Sequence, residues 1–412
     1  MKERRNDMHC ITKVGLALVG CLTLLGTLLI GCGGGQAEEG TVVIGYLTDK
    51  TGPASSALVY INWALEDQIR QLNEDEAIPG VTLQLETFDT QYDASRALEG
   101  YDYLKSKGAK IIFNVEATSA EALKSKCERD EIPMFGLTCT TTLTDPAGWV
   151  FLGHSPTNYM TAVLAKYIGE EWTEDGKIKI GFVGWNTAEN LAQQQGVKEY
   201  AEAHPDLFVW VASCVAPQGT VTWAAEVETL KDCDYIYFSA AGIAPAVFCS
   251  DYRAKGYTAQ FLCADGSLAF LGLYIDKAGW PAMDGTLSVN NWGWWSLDSA
   301  LVNSAKEMLE SYHPDEAQAA IDMGISYIGS FCQWRVGLEV LQESIETVGA
   351  SDFGGVDYYN TAQTLDFQWD GYEEFSFSTD KRYVPDHASI WRWSAADEDL
   401  LALTGWLPIM TD

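Results

Sequence analysis

Positive charge is scarce in this sequence. Its 412 residues hold 26 Lys and Arg against 58 Asp and Glu, a formal net charge of −32. That balance argues against nucleic acid, because binding phosphate needs a basic face that this chain has few residues to build. It argues equally against polybasic attachment to anionic lipid. Metal and redox motifs are missing too. None of the ten cysteines sits in a CxxC pair, so a zinc ribbon or thioredoxin-type site has no support. There is no GxSxG elbow and no HExxH helix. Of the five histidines, His9 lies in the N-terminal segment, while His154, His204, His313 and His387 are scattered without metal-ligand spacing. Catalysis is therefore not expected, nor any metal or other cofactor. What is present is an ordinary globular composition, 47% hydrophobic, in a chain long enough for two or three domains with real cores.

The first forty residues read as an address. Lys2, Arg4, Arg5 and Lys13 precede a stretch from Val14 to Ile30 without a charge, the pattern of an export signal over residues 1–31. Such a stretch is at the short limit of a membrane-spanning helix, which is the alternative. Its end, Leu29-Ile30-Gly31-Cys32, resembles the lipobox of bacterial lipoproteins, in which the cysteine takes a diacylglycerol and becomes the mature N-terminus. The resemblance implies a protein outside the cytoplasm, held to the bacterial cell membrane through lipidated Cys32 alone, with residues 32–40 as a Gly-rich tether. Beyond Cys32, the chain has Cys127, Cys139, Cys214, Cys233, Cys249, Cys263 and Cys332. That odd number leaves at least one thiol unpaired within the chain, and several suit small buried apolar positions.

From Thr41 onward, β-rich runs alternate with helical stretches. Strands are expected at 41–47, 81–88, 110–115 and 133–137, with helices through about 73, at 94–106 and at 120–130. The pattern restarts after Pro156, with strands at 177–185, 207–215, 235–240 and 260–264 and helices between them. Continuous apolar strands separated by helices indicate parallel sheets covered on both faces, so the chain holds two doubly wound βα arrays. The last third breaks this rhythm: a strand at 285–291, the run Trp292-Gly293-Trp294-Trp295, helices at about 299–312 and 321–348, then short β segments. It reads as additions to both arrays, so that the chain crosses between lobes more than once.

Four features together resemble the type I periplasmic substrate-binding proteins of ABC importers, in particular the leucine/isoleucine/valine-binding group. The strand and turn from Ile44 to Pro53 resemble that family's strand ending in (S/T)-G-P. Asn73 with Ile78-Pro79-Gly80, and Phe88-Asp89 with Asp93, resemble its N…GI-x-G turn and D-x-x-x-D loop. Glu116-Ala117-Thr118-Ser119, Ile132-Pro133-Met134-Phe135 and Thr138-Cys139-Thr140 follow its serine-rich loop, strand and second ligand loop. Ala264-Asp265-Gly266 stands where the family places an acid. The resemblance covers 41–406 and implies an α/β fold of two doubly wound parallel-sheet lobes joined by a multi-crossing hinge. Lobe 1 would comprise 41–156 plus 292–376 and lobe 2 would comprise 157–291 plus 377–412. It further implies a monomer that captures an amino acid or related small molecule and hands it to the importer's permease.

The chemistry of such a site is legible independently. A zwitterion leaving water needs both charges met, since an unpaired buried charge costs several kcal/mol. Thr118, Ser119, Thr138, Cys139 and Thr140 follow strands of the first array, where hydroxyls and backbone N–H groups suit a carboxylate; the same residues also serve as ordinary caps and turns. Asp265, ending a strand of the second array, is where the resemblance puts the ammonium-pairing acid. The family's Tyr-Gly pair is replaced by the stretch Trp185-Asn186-Thr187-Ala188-Glu189-Asn190, and its aromatic on the first helix by Ala57. Trp185 and Trp292 could supply walls instead. These departures leave room for a bulkier side chain, an amide or an aromatic carboxylic acid. A lipoprotein that passes its ligand to a membrane sensor is the other reading the sequence leaves open.

Overall fold

The computed structural model describes residues 40–411 except 370, 371 and 373. Cys32, the export signal and all of the tether but Gly40 lie outside the described residues. Gly40 itself already opens a strand, pairing with Val81.

The first sheet has five parallel strands, in the spatial order Val81–Asp89, Gly40–Thr48, Ile111–Asn114, Met134–Gly136, Val150–Leu152. The helices Ser55–Glu74, Ala94–Ser106 and Ala117–Asp130 make the connections between them. The second sheet repeats that winding. Its parallel strands run in the order Phe208–Ala216, Ile178–Trp185, Tyr235–Ser239, Gln260–Ala264, Leu287–Asn290. Two antiparallel strands, His387–Ser394 and Asp399–Ala402, extend its far edge. In both sheets the second strand in sequence lies outside the first and the third on its other side. The carboxyl ends therefore meet a topological switch point twice, the place where open α/β sheets bind ligands.

The tail does add to both arrays. The helix Ser326–Val348 packs on the first sheet, where Trp334 stacks on Phe113 at 5.2 Å and meets Tyr46 edge-on. A run of β-branched and aromatic strand residues (Ile44, Tyr46, Ile111, Phe113) supplies the apolar face it covers. The sequence suggested one helix over 321–348. The structure instead ends one at Met323 and starts the next at Ser326. Gly324 makes the break at φ +119°, and a Cβ there would lie 2.0 Å from the Leu268 carbonyl. Only glycine permits that approach, and it brings the start of the long helix against the second sheet's loops. The last crossing also comes later than 376: Leu152 exchanges backbone bonds with Arg382 and Val384, so these residues still belong beside the first sheet.

No helix among the described residues is long and apolar enough to cross a membrane. All seven described cysteines are free thiols, six of them buried.

Candidate functional site

Two adjoining cavities, of about 80 and 90 Å³, open where the strand ends of the two sheets approach each other. The first sheet contributes Val115, Leu137, Thr138 and His154, each just past the end of a strand. The second contributes Ser239, the last residue of its strand, and Glu189, Asp265, Gly266 and Trp292, which lie past the ends of theirs. Ile61 on the first long helix, Ile325 beside the glycine break and Gln333 two turns into the helix Ser326–Val348 close the walls. Thr138 and Glu189 line both cavities. A larger groove of about 610 Å³ lies elsewhere, between the helices Ala300–Tyr312 and Ser326–Val348. None of its lining residues follows a strand of the two sheets, and its Arg335 is paired with Glu339.

Of the residues singled out from sequence, Thr138, Asp265 and Trp292 come together here. The Thr138 Oγ1 is buried and has no hydrogen-bond partner among the described residues, and neither has the Gln333 Oε1. Trp292 is held in place by its indole N–H, which donates to the Gly153 carbonyl at 2.7 Å, and by packing on Trp369, Tyr372 and Phe375.

The other five do not line the cavities. Thr118 accepts the Ala188 N–H at 3.3 Å, a contact between the two arrays at the cleft rim. The Ser119 hydroxyl donates to Glu116 at the start of its own helix. Thr140 donates to Glu121 at 2.5 Å. Cys139 is buried in the apolar layer behind the first sheet, and burial pushes its thiol far above the ordinary range, so it is an inert packing group. Trp185 is buried, with its indole N–H on the Thr220 carbonyl. In each case a local partner has taken the group that sequence offered to a ligand.

The electrostatics centre on two residues that sequence reasoning passed over. His154 joins Asp265: Nε2 to Oδ2 is 2.8 Å, and Nδ1 faces the Ser155 carbonyl at 2.6 Å. Burial by itself would lower the imidazole's pKa, but the Asp265 charge and these hydrogen bonds outweigh it and hold the pKa above its ordinary value. Glu189 is the second. Burial, reinforced by Asp265 and Glu116 and opposed by His154, raises its carboxyl to about 7. Glu116 is also raised, by burial against the hydroxyls of Ser119 and Thr118. A signal for Glu189 existed: like Asp265, it stands in the first turn of a helix directly after a parallel strand. His154 follows its strand in the same manner, but no spacing rule marks it. Among the described residues there is no group of three or more His, Cys, Asp or Glu able to hold a metal ion.

A sequence profile of the periplasmic binding protein family matches residues 41–384. The chain belongs to that family. This periplasmic binding protein is accordingly a solute-binding protein and not an enzyme, and it works outside the cytoplasm. Solved structures share its two-lobe fold. A branched-chain amino acid ABC transporter protein from Thermus thermophilus, with bound valine, superposes with a TM-score of 0.79 at 16% identity, over 90% of this chain and 97% of that one. A fatty acid ABC transporter substrate-binding protein from Thermomonospora curvata gives 0.76 at 16%, over 91% and 95%. A solute-binding protein of an R. palustris ABC transporter, in complex with benzoate, gives 0.74 at 17%, over 90% and 98%. No curated protein sequence matches the chain.

Proposed function

We propose that this binding protein closes its two lobes on an amino acid or related small molecule and delivers it to the permease of an ABC importer. One observation carries this reading: a single cleft is lined from the strand ends of both sheets and holds an unpartnered hydroxyl, Thr138, together with two acids, Glu189 and Asp265. The available space is well below the roughly 300–1,000 Å³ of sites for drug-sized ligands, so the guest is small. Apolar walls from Ile61, Val115, Leu137 and Ala269 suit a short side chain. Lobe 1 is formed from 41–156 with 292–384 and lobe 2 from 157–291 with 385–412, the last crossing being set by the bonds of Leu152, and the contacts of Thr118 with Ala188 and of Gln218 with the Tyr92 carbonyl tie the closed rim. The chain acts as a monomer, tethered to the membrane by lipidated Cys32.

A thermal-shift screen of amino acids, amides and aromatic acids tests the function, because a tight guest raises the apparent stability. A guest whose effect is reduced in Thr138→Val or Trp292→Ala supports it. Binding unaffected by both substitutions removes the cleft from the account. Metabolic labelling with a fatty acid, compared between the chain and Cys32→Ser, tests the anchor separately.

A further inference from the structure

The two acids of the cleft are not equivalent, and the geometry points to which of them meets a ligand. Asp265 is already engaged. Its Oδ2 faces His154 and its Oδ1 accepts the Gly266 N–H at 2.9 Å. With its amide turned, Asn291 also donates to Oδ2 at 3.2 Å. His154 is engaged at both ring nitrogens. That pair is closed on itself and has no charge left to offer.

Glu189 differs. Among the described residues its one hydrogen-bond donor is Gln193, at 3.1 Å from Oε1. A Cβ on Gly266 would lie 2.6 Å from the same oxygen, so the absent side chain leaves the carboxyl room against that loop. Neither cavity is lined by a lysine or an arginine. A carboxylate arriving alone would find acids and no free cation, and like charges brought together in a desolvated site are costly. The unpartnered Gln333 Oε1, in a side chain buried beside the first cavity, is one more acceptor facing a guest with N–H groups to donate.

We propose that Glu189, rather than Asp265, receives the cationic group of the guest, and that the cleft takes small amine-bearing molecules and refuses carboxylic acids that lack an amine. This rests on the cleft being the ligand site and names the chemical class that it takes. Every neighbour that faces Glu189 has a part. His154, after the strand Val150–Leu152, favours its charge, and Gln193 on its own helix hydrogen-bonds it. Asp265 and Glu116, on opposite sheets, oppose its charge, and the buried phenols of Tyr92 and Tyr237, both raised by burial, stay protonated. The outcome is a carboxyl poised near neutrality, which exchanges its proton for an ammonium when the guest enters. For such a guest, affinity falls roughly tenfold from pH 8 to pH 6, while a carboxylic acid bound by the protonated form shows the opposite sign.

The test is calorimetry on the full chain with amino acids, short primary amines and monocarboxylates of matched carbon skeleton, at pH 6 and pH 8. The expected result is binding of amine-bearing probes only, tighter at pH 8. Glu189→Gln should weaken it at least tenfold at pH 8 and flatten the pH dependence. Gly266→Ala, which crowds the carboxyl without removing it, should weaken it as well, and thermal unfolding of each free variant checks that it is folded. Monocarboxylates binding as tightly as amines, in a manner still sensitive to Thr138→Val, would overturn the assignment and leave the cleft standing. So would an amine affinity that Glu189→Gln changes by less than twofold. If no probe of any class binds, this inference and the proposed function fall together.

Discussion

On the first sheet's side of the cleft, the residues that follow the strands are Val115, Leu137, Thr138 and His154: two apolar groups, a hydroxyl, and an imidazole whose ring nitrogens are already engaged by Asp265 and the Ser155 carbonyl. On the second sheet's side they are Glu189, Ser239 and Asp265, two acids and a hydroxyl. The backbones beneath them wind in the same order. Winding therefore fixes where a ligand can sit, and the few side chains at the strand ends decide what it can be. The hydroxyls of Thr118, Ser119 and Thr140, on the first side, are drawn into caps and rim contacts, which leaves that wall the Thr138 hydroxyl and an imidazole already spent on Asp265. Charge recognition is thereby left to the second wall.

Substitutions sharpen this contrast, and the largest effect is expected at Asp265. Asp265→Ala would leave His154 buried without its carboxylate, at a cost of about 3–5 kcal/mol in unfolding free energy. The histidine's raised pKa sets the sign. The pair's contribution is complete below the ordinary imidazole pKa of 6.5 and is lost as pH rises through the folded value. Denaturant unfolding at pH 6 should therefore show a greater loss than at pH 9. Glu189→Gln works the other way. The folded carboxyl keeps its proton up to about 7, against an ordinary 4.5, so wild-type stability falls as pH rises across that window. At pH 8 the glutamine variant of the free protein should be more stable by about 1–2 kcal/mol, once water in the cleft is allowed for. At pH 4 the two should unfold alike.

On the apolar wall the effects shrink. Thr138→Val removes a hydroxyl that has no partner, so it should change the free protein's stability by no more than about 0.5 kcal/mol. It should still weaken a bound guest several-fold, about 1 kcal/mol by calorimetry. Thr140→Val, whose hydroxyl serves Glu121 instead of the cavity, should leave guest affinity within twofold. If Thr140→Val weakens the guest as much as Thr138→Val does, the distinction between the two hydroxyls is lost.

The alternation of apolar strands and amphipathic helices was enough to place both sheets apart from the first sheet's short edge strand Val150–Leu152, because a longer buried parallel strand has no polar face and reads as a continuous run. Strand ends could be read within a residue or two, and with them the positions of Thr138, Asp265 and Trp292. What could not be read was which polar group already has a partner. Ser119 and Thr140 carry the same hydroxyl as Thr138, and only folding shows that Glu116 and Glu121 lie within their reach. His154 and Asp265 are far apart in sequence, so their pairing follows from the crossing of the chain between sheets and not from any local pattern. The break at Gly324 was hidden for a related reason. Apolar periodicity continues through it, and the carbonyl that forbids a side chain there belongs to Leu268.

The account rests on a small guest seated between the strand ends of the two sheets. A crystal structure of the chain grown with the tightest amine-bearing probe tests this most directly. The expected density lies in the cleft, with a nitrogen beside Glu189 and contacts to Thr138 and Trp292. Density confined to the groove by Tyr312 and Arg335, with nothing between Thr138 and Glu189, would contradict it.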